Sequence, residues 1–178
     1  MNTIECMKTR RSIRVFKPEK VNQELLKQAV QAAAYAPSWK NTQVTRYIAI
    51  EDEILRKKIA EECCRGHNRD VLNNAPLLMA ITLVTERSGY ERDGSFTTAR
   101  GTAWQIYDCG IASGLFTLAA HEVGLGSVII GIFDDEKAAK LLDVPKNQEL
   151  MSLIAVGYAA ESPETPKRKT VKDLLSYR

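Results

Sequence analysis

The sequence predicts a three-layer domain in which helices cover a small sheet, and three observations carry this. Helix-like and strand-like segments follow one another as helix, helix, strand, helix, strand, helix, strand, helix, strand. Leu77 to Val84 is a continuous apolar run of strand length, as expected of a strand buried on both faces. Thr97 to Gly124 contains no proline and is apolar or small almost all round from Cys109 to Ala120, as expected of a buried central helix.

In chain order, Asn2 or Thr3 can cap a short helix through Met7. Pro18 breaks any helix there. The next helix runs from near Asn22 to about Tyr35, with Leu25, Leu26, Ala29, Val30 and Ala33 on its apolar face. Pro37 ends it, because the residue before a proline is pushed out of the α region. Pro37 to Gln43 is a polar loop, and Val44 to Ile50 is a β-branched and aromatic strand. Asp52 caps a helix to about Cys64, with Ile54, Leu55, Ile59 and Ala60 inward. Residues 65–76 hold a short helix or loop ended by Pro76. After the buried strand, Glu86 to Ser95 is a polar surface segment.

The long helix over residues 97–124 would span roughly 40 Å at about 1.5 Å per residue. Ala103, Ile106, Gly110 and Gly114 keep helical spacing on one face, continued by Ile111, Leu115 and Leu118. Its small residues suit the close approach of another backbone, such as that of a second subunit. A transmembrane span is disfavoured, because Asp108 and His121 bracket too short an apolar stretch where about 20 residues are needed. Ser127 to Ile130 is the third strand, Asp134 caps a helix to about Leu142, and Leu150 to Tyr158 is the fourth strand. The tail after Ser162 has no core of its own and is expected to lie on another subunit.

A chain of 178 residues fits one domain, here residues 1–178, with residues 163–178 as the tail on the partner. Apolar and charged fractions of 44% and 26% fit a folded soluble chain rather than a disordered one. A net charge of +3 is too small to call for nucleic acid, but its distribution is uneven. Lys8, Arg10, Arg11, Arg14, Lys17 and Lys20 crowd the first residues. Lys167, Arg168, Lys169, Lys172 and Arg178 crowd the last. Two positive ends suit a small anion. The first residues show no signal-peptide pattern, so a cytoplasmic location is expected. Cys6, Cys63, Cys64 and Cys109 form no metal-binding pattern, and buried or idle thiols are the expected reading.

Arg10-Arg11-Ser12-Ile13-Arg14 places three guanidinium forks and a hydroxyl within five residues, a donor set that matches phosphate oxygens. Read alone, it fits either a phosphate site or a solvated basic turn. Pro37-Ser38-Trp39-Lys40-Asn41-Thr42-Gln43 concentrates hydrogen-bonding groups suited to a polar ring edge, or simply to a well-bonded loop. Gly124-Leu125-Gly126 follows a helix and precedes a strand, the reverse of a dinucleotide fingerprint. Neither His67 nor His121 has a matched ligand set. Asp108, inside an apolar helix, must be hydrogen-bonded or paired, and a structural partner is the favoured reading.

In their order and spacing, these motifs resemble the FMN-dependent nitroreductase family in its shorter form, over essentially the whole chain. The Arg10–Arg14 run looks like the family's flavin-phosphate motif, and Pro37-Ser38-x-x-Asn41-x-Gln43 looks like its second flavin-contacting loop. Trp104-x3-Asp108 followed by Leu118-Ala-Ala-His-Glu-Val-Gly-Leu-Gly-Ser127 looks like its central helix. Ile129-Ile130-Gly131 matches the strand end beside the isoalloxazine, and Val156-Gly157-Tyr158 with Pro166-Lys167-Arg168-Lys169 looks like the last strand and basic tail. Val44 departs from the family, where proline often follows the glutamine of the second motif.

The resemblance implies an α+β fold forming an intertwined homodimer, with tightly bound FMN at the interface and NAD(P)H as co-substrate. It implies that Arg10, Arg11, Ser12 and Arg14, with Arg168 or Lys169, hold the phosphate and ribityl end. Pro37, Ser38 and Asn41 would reach the flavin of the other subunit, and Asn68, Ile130 and Gly131 would approach the ring. The implied reaction is a ping-pong hydride transfer from NAD(P)H through flavin N5 to a small electron-poor acceptor such as a nitroaromatic or quinone. Other reactions of the same fold are ene reduction, dehalogenation and flavin modification. The flavin carries the chemistry, which accounts for the lack of a general-base pair or nucleophile. No metal, membrane or nucleic-acid partner is expected, and a non-catalytic phosphate- or nucleic-acid-binding module is the remote alternative.

Overall fold

The computed structural model describes residues 2–178. Seven helices and four strands follow in the order α1 (Thr3–Thr9), α2 (Gln23–Ala33), β1 (Thr45–Ile50), α3 (Glu53–Cys63), α4 (Gly66–Asn74), β2 (Leu77–Val84), α5 (Ala103–Glu122), β3 (Gly126–Ile130), α6 (Asp135–Leu141), β4 (Gln148–Gly157) and α7 (Val171–Leu174). A single 3-10 turn, Trp39–Asn41, lies between α2 and β1. Four helix starts have the side-chain cap that the sequence offers. Asn2, Asn22, Asp52 and Asp134 accept from the backbone N–H of Glu5, Glu24, Leu55 and Lys137 at 2.9, 2.8, 2.7 and 3.0 Å.

The strands form one antiparallel sheet in the order β1-β2-β4-β3. Successive side chains of a strand point to opposite faces, and β2 uses both. Leu77, Met79, Ile81 and Leu83 join a core with Leu26 and Ala29 of α2 and Phe116 and Ala120 of α5. Leu78 and Ala80 join a second core with Ile59 of α3, Leu72 of α4 and Ala138 of α6. The helices therefore lie in two layers, α2 and α5 on one face and α3, α4 and α6 on the other.

The head of the chain is stitched along the end of the sheet. Ser12 bridges Ser127, and Ile13 N–H donates to Ser127 O at 3.1 Å. Lys17 N–H donates to Tyr158 O at 2.8 Å, and Ala160 N–H to Val15 O at 2.9 Å. The approach is tight, since a Cβ on Gly126 would meet Ile13 Cγ1 at 2.9 Å and one on Gly157 would meet Phe16 Cδ1 at 2.9 Å.

Three expectations need correction. The central helix begins at Ala103, not Thr97. Residues 97–102 turn instead, because Thr97 N–H donates to Gly89 O at 2.9 Å and Trp104 Nε1 to Thr98 Oγ1 at 2.8 Å, which fastens the preceding segment. The buried face of α5 is Gln105, Asp108, Cys109, Ala112, Phe116 and Ala120, whereas Ile106 of the expected stripe is 46% exposed and Gly110 faces open space. A helix apolar on all sides gives no periodicity by which sequence can choose its inner face. In α3, Ile54 is 79% exposed and Arg56 takes a buried place, with Nη1 donating to Ala75 O at the end of α4. No helix among the described residues is long and apolar enough to cross a membrane.

Candidate functional site

The Arg10–Arg14 segment leaves α1 and lies beside β3. Arg10 is the C-cap residue of α1 and is half-buried. Its guanidinium pKa is lowered, first by burial and then by the charges of Arg168 and Arg11. Arg168, from the far end of the chain, therefore stands within electrostatic reach of Arg10. Arg11 ties head and tail directly, since Nη2 donates to Thr165 Oγ1, while Nη1 donates to Lys8 O at 2.7 Å and Arg10 O at 2.8 Å. Ser12 is half-buried beside Ser127, and Arg14 is exposed, with Nη1 on Ser12 O at 3.2 Å. Lys169 is exposed in the same tail. Among the described residues, none of Arg10, Arg11, Arg14 or Arg168 forms a salt bridge. His121, at the end of α5, borders this cluster. Its Nε2 lies 3.0 Å from Thr9 Oγ1, and its pKa is lowered first by burial and then by Arg10. Carboxylates are present at the edge of the cluster, since Glu161 Oε1 accepts from Arg14 N–H at 2.5 Å and Val15 N–H at 3.1 Å and Glu122 acts on His121, but the arginines outnumber them, and a local excess of positive charge suits a small anion.

Beyond the cluster, β3 runs to Ile130, which is buried, and Gly131, whose missing side chain faces open space. Asn68 of α4 reaches the same corner and donates from Nδ2 to Ile132 O at 3.1 Å. Ile129, beside Ile130 on the edge strand β3, is 48% exposed. Ser12 and Ile130 thus lie along β3, with Gly131 just past its end, whereas Asn68 comes from α4 and Arg168 and Lys169 from the tail.

The loop Pro37–Gln43 lies elsewhere. Pro37, Ser38, Asn41 and Gln43 line a cleft of about 520 Å³ together with Arg46, Tyr47, Asp108 and Ala112. Lys40, Asn41 and Gln43 all have positive φ, at 46°, 56° and 47°. Non-glycine residues adopt this conformation at a cost, so external contacts must hold it. Within the loop, Gln43 N–H donates to Ser38 Oγ at 3.0 Å, and Gln43 Nε2 to Asn41 Oδ1 at 3.1 Å. From outside, Asp108 Oδ2 accepts from Trp39 N–H at 2.8 Å. Tyr47 forms the cleft's aromatic wall, its ring 5.5 Å from Phe116, and burial pushes its hydroxyl pKa up to about 12.

The two groups of residues therefore occupy opposite ends of α5. Asp108 holds the loop and His121 borders the cationic cluster, 13 positions away, or about 20 Å along a helix rising 1.5 Å per residue. Sequence reasoning did not assign Tyr47, Arg46 or Ser88 to this region. Only Asp108 carried a local signal, as a carboxylate among apolar neighbours. The thiols of Cys63 and Cys64 are buried, and burial raises both pKa values, that of Cys64 to about 11, which disfavours the thiolate.

Comparison with known proteins places this geometry among relatives. The model of the nitroreductase family matches residues 7–67 and 64–158. A putative NADH dehydrogenase/NAD(P)H nitroreductase of Archaeoglobus fulgidus is 30% identical over 167 residues, covering 90% of this chain and 88% of the relative. An FMN reductase [NAD(P)H] of Bacillus subtilis is 29% identical over 167 residues, covering 89% of this chain and 66% of the relative. Among solved structures, a nitroreductase family protein from Streptococcus pneumoniae superimposes with a TM-score of 0.88, covering 99% of this chain and 100% of that one at 20% identity.

Proposed function

The chain belongs to the nitroreductase family, and from that premise we propose that it is an NAD(P)H-dependent oxidoreductase that binds FMN between two copies of itself. The carrying observation is that the two ends of the chain are tied together, Arg11 Nη2 donating to Thr165 Oγ1 and Arg168 lying within electrostatic reach of Arg10, with none of these arginines in a salt bridge among the described residues. A flavin phosphate is close to a dianion and would be held there through charge-assisted hydrogen bonds. Arg10, Ser12 and Arg14 would grip it with Arg168 or Lys169, while Arg11 fixes the tail in place. The bare backbone at Gly131 leaves room for a flat ring, with Ile130 and Asn68 beside it.

A second copy supplies what one chain separates. The loop Pro37–Gln43 sits about 20 Å from the cationic cluster along α5. Two α5 helices running antiparallel would bring the loop of one subunit, through Ser38 and Asn41, to the anion cluster of the other. The open face of α5 at Ile106, Tyr107 and Gly110, and the exposed Val171, Leu174 and Tyr177 of the tail, supply apolar surface for that contact. Bound flavin would supply hydride chemistry, taking a hydride from NAD(P)H and passing it to an electron-poor acceptor such as a nitroaromatic or a quinone. The chain's own residues would bind the phosphate and orient the ring.

The test is a visible spectrum of the purified protein, a titration with FMN, and its mass in solution. Flavin bands on a dimer are expected, bleached anaerobically by NADH or NADPH and restored by the acceptor. A colourless protein that gains no flavin bands on adding FMN would overturn the proposal. A monomer that binds FMN normally would overturn the shared site.

A further inference from the structure

Asp108 joins two segments that are distant in sequence. It is 4% exposed, and its Oδ2 accepts from Trp39 N–H at 2.8 Å and from Ser88 Oγ–H at 2.5 Å. A carboxylate removed from water is costly unless donors satisfy it. The donors depend on it in turn. Ser88 is fully buried, so its hydroxyl has no water to replace Asp108. Trp39 opens the turn in which Lys40 and Asn41 are left-handed, a conformation that needs outside support.

The other segment, residues 86–101, is fastened to the same two turns of α5. Gln105 Oε1 accepts from Glu86 N–H at 3.2 Å, one turn before Asp108, and is itself 3% exposed. Gly89 packs so closely that a Cβ there would lie 2.8 Å from Gly101 O and 3.0 Å from Trp104 Cβ. The Trp104 ring packs against Trp39, with centroids 4.7 Å apart and the planes tilted by 47°. On the surface, Lys40 reaches Glu91 at 3.2 Å. Loop 37–43 and segment 86–101 thus share one buried oxygen and one exposed ion pair, and Trp104 of α5 touches both, packing on Trp39 and donating from Nε1 to Thr98 Oγ1 at 2.8 Å.

We propose that Asp108 is a positioning residue that couples segment 86–101 to loop 37–43, so that flavin affinity depends on the state of a segment lying outside the flavin-holding motifs. The inference rests on the reading that loop 37–43 contacts the flavin. Loosening Ser88 frees one side of the shared carboxylate and relaxes Trp39, and the loop then presents Ser38 and Asn41 less well. Coupling of this kind is reciprocal, so flavin loading tightens segment 86–101 in turn.

Ser88→Ala is the informative variant, because it removes a single oxygen from the segment and none from the loop. Hydrogen exchange on the apoprotein reads the Trp39 amide, and fluorescence titration reads FMN affinity. Ser88→Ala is expected to speed exchange at Trp39 and to weaken FMN binding about three- to tenfold, as for neighbours sharing one partner. Asp108→Asn, which keeps an acceptor oxygen, is expected to have a smaller effect than Asp108→Ala. Adding Ser88→Ala to Asp108→Ala should change nothing further. FMN loading should also slow tryptic cleavage at Arg87, Arg92 and Arg100. A merely structural fastening would lower the melting temperature of Ser88→Ala while leaving Trp39 exchange and FMN affinity untouched, and that result overturns the proposal. So do strictly additive effects of the two substitutions. Should the unaltered protein bind no FMN, the functional reading fails by itself, and Trp39 exchange in the apoprotein still decides the coupling.

Discussion

The two ends of α5 carry differently built halves of the candidate site. At the carboxy-terminal end, Arg10, Arg11 and Arg168 come from the two ends of the chain, lie partly exposed, and act through charge. At the amino-terminal end, loop 37–43 acts through shape, with three left-handed non-glycine residues anchored on a carboxylate that is 4% exposed. Charge falls off gently with distance and tolerates small displacements. A strained loop loses its form once its fastening goes. The first half should therefore be sensitive to the number of cations and to salt, the second to single buried atoms.

The largest contrast comes from removing charge. Changing both Arg10 and Arg14 to alanine is expected to weaken FMN binding by a few kcal/mol, at about 1.5–3 for each charged hydrogen bond lost. The melting temperature of the apoprotein should barely move, and an unchanged FMN dissociation constant would remove both residues from the site. Asp108→Ala should show the opposite profile. Its two orphaned donors, at about 1–3 kcal/mol each, predict a loss of about 3 kcal/mol in a denaturant titration of the apoprotein.

Gly126→Ala tests whether the cationic half also depends on shape. The new Cβ would press on Ile13 at 2.9 Å, and overpacking of this kind costs about 1–3 kcal/mol. A fall in stability with little change in FMN affinity would support a cluster that acts mainly through charge. The smallest effect is expected from Tyr47→Phe. The Tyr47 pKa is raised from 10.0 to about 12 by burial, so the folded state favours the neutral phenol. That contribution is complete below pH 10 and is lost as pH rises towards about 12. Tyr47→Phe should flatten the fall of stability with pH across that window and change little at neutral pH.

The same contrast governs what sequence could reveal. Helix starts were legible, because Asn2, Asn22, Asp52 and Asp134 act on backbone groups two or three residues away. So was β2, since burial on both faces demands an unbroken apolar run. The positive ends were legible as composition, and a gathering of like charges itself called for an anion. The turn at residues 97–102 was not, because the contacts that stop the helix come from Gly89 and from a side chain on Trp104. Ser88 and Gln105 carried no signal either. Their importance lies in bonds to Asp108 and to Glu86 N–H, 20 and 19 residues away. Asp108 could be singled out as needing a partner, yet nothing near it named Trp39.

The stitching of residues 12–17 to the strands at the far end of the sequence also bears on when each region forms. Among the described residues, Ser12 and Ile13 find their backbone partner in Ser127, Lys17 in Tyr158 and Val15 in Ala160. A chain emerging from the ribosome must therefore make β3 before Ser12 and Ile13 can dock, and finish β4 before Val15 and Lys17 can. Contacts so far apart in sequence are the slow ones in folding. The cationic cluster is then among the last parts to mature, and in pulse-labelled refolding the amides of Ile13 and Lys17 should gain protection after those of β2.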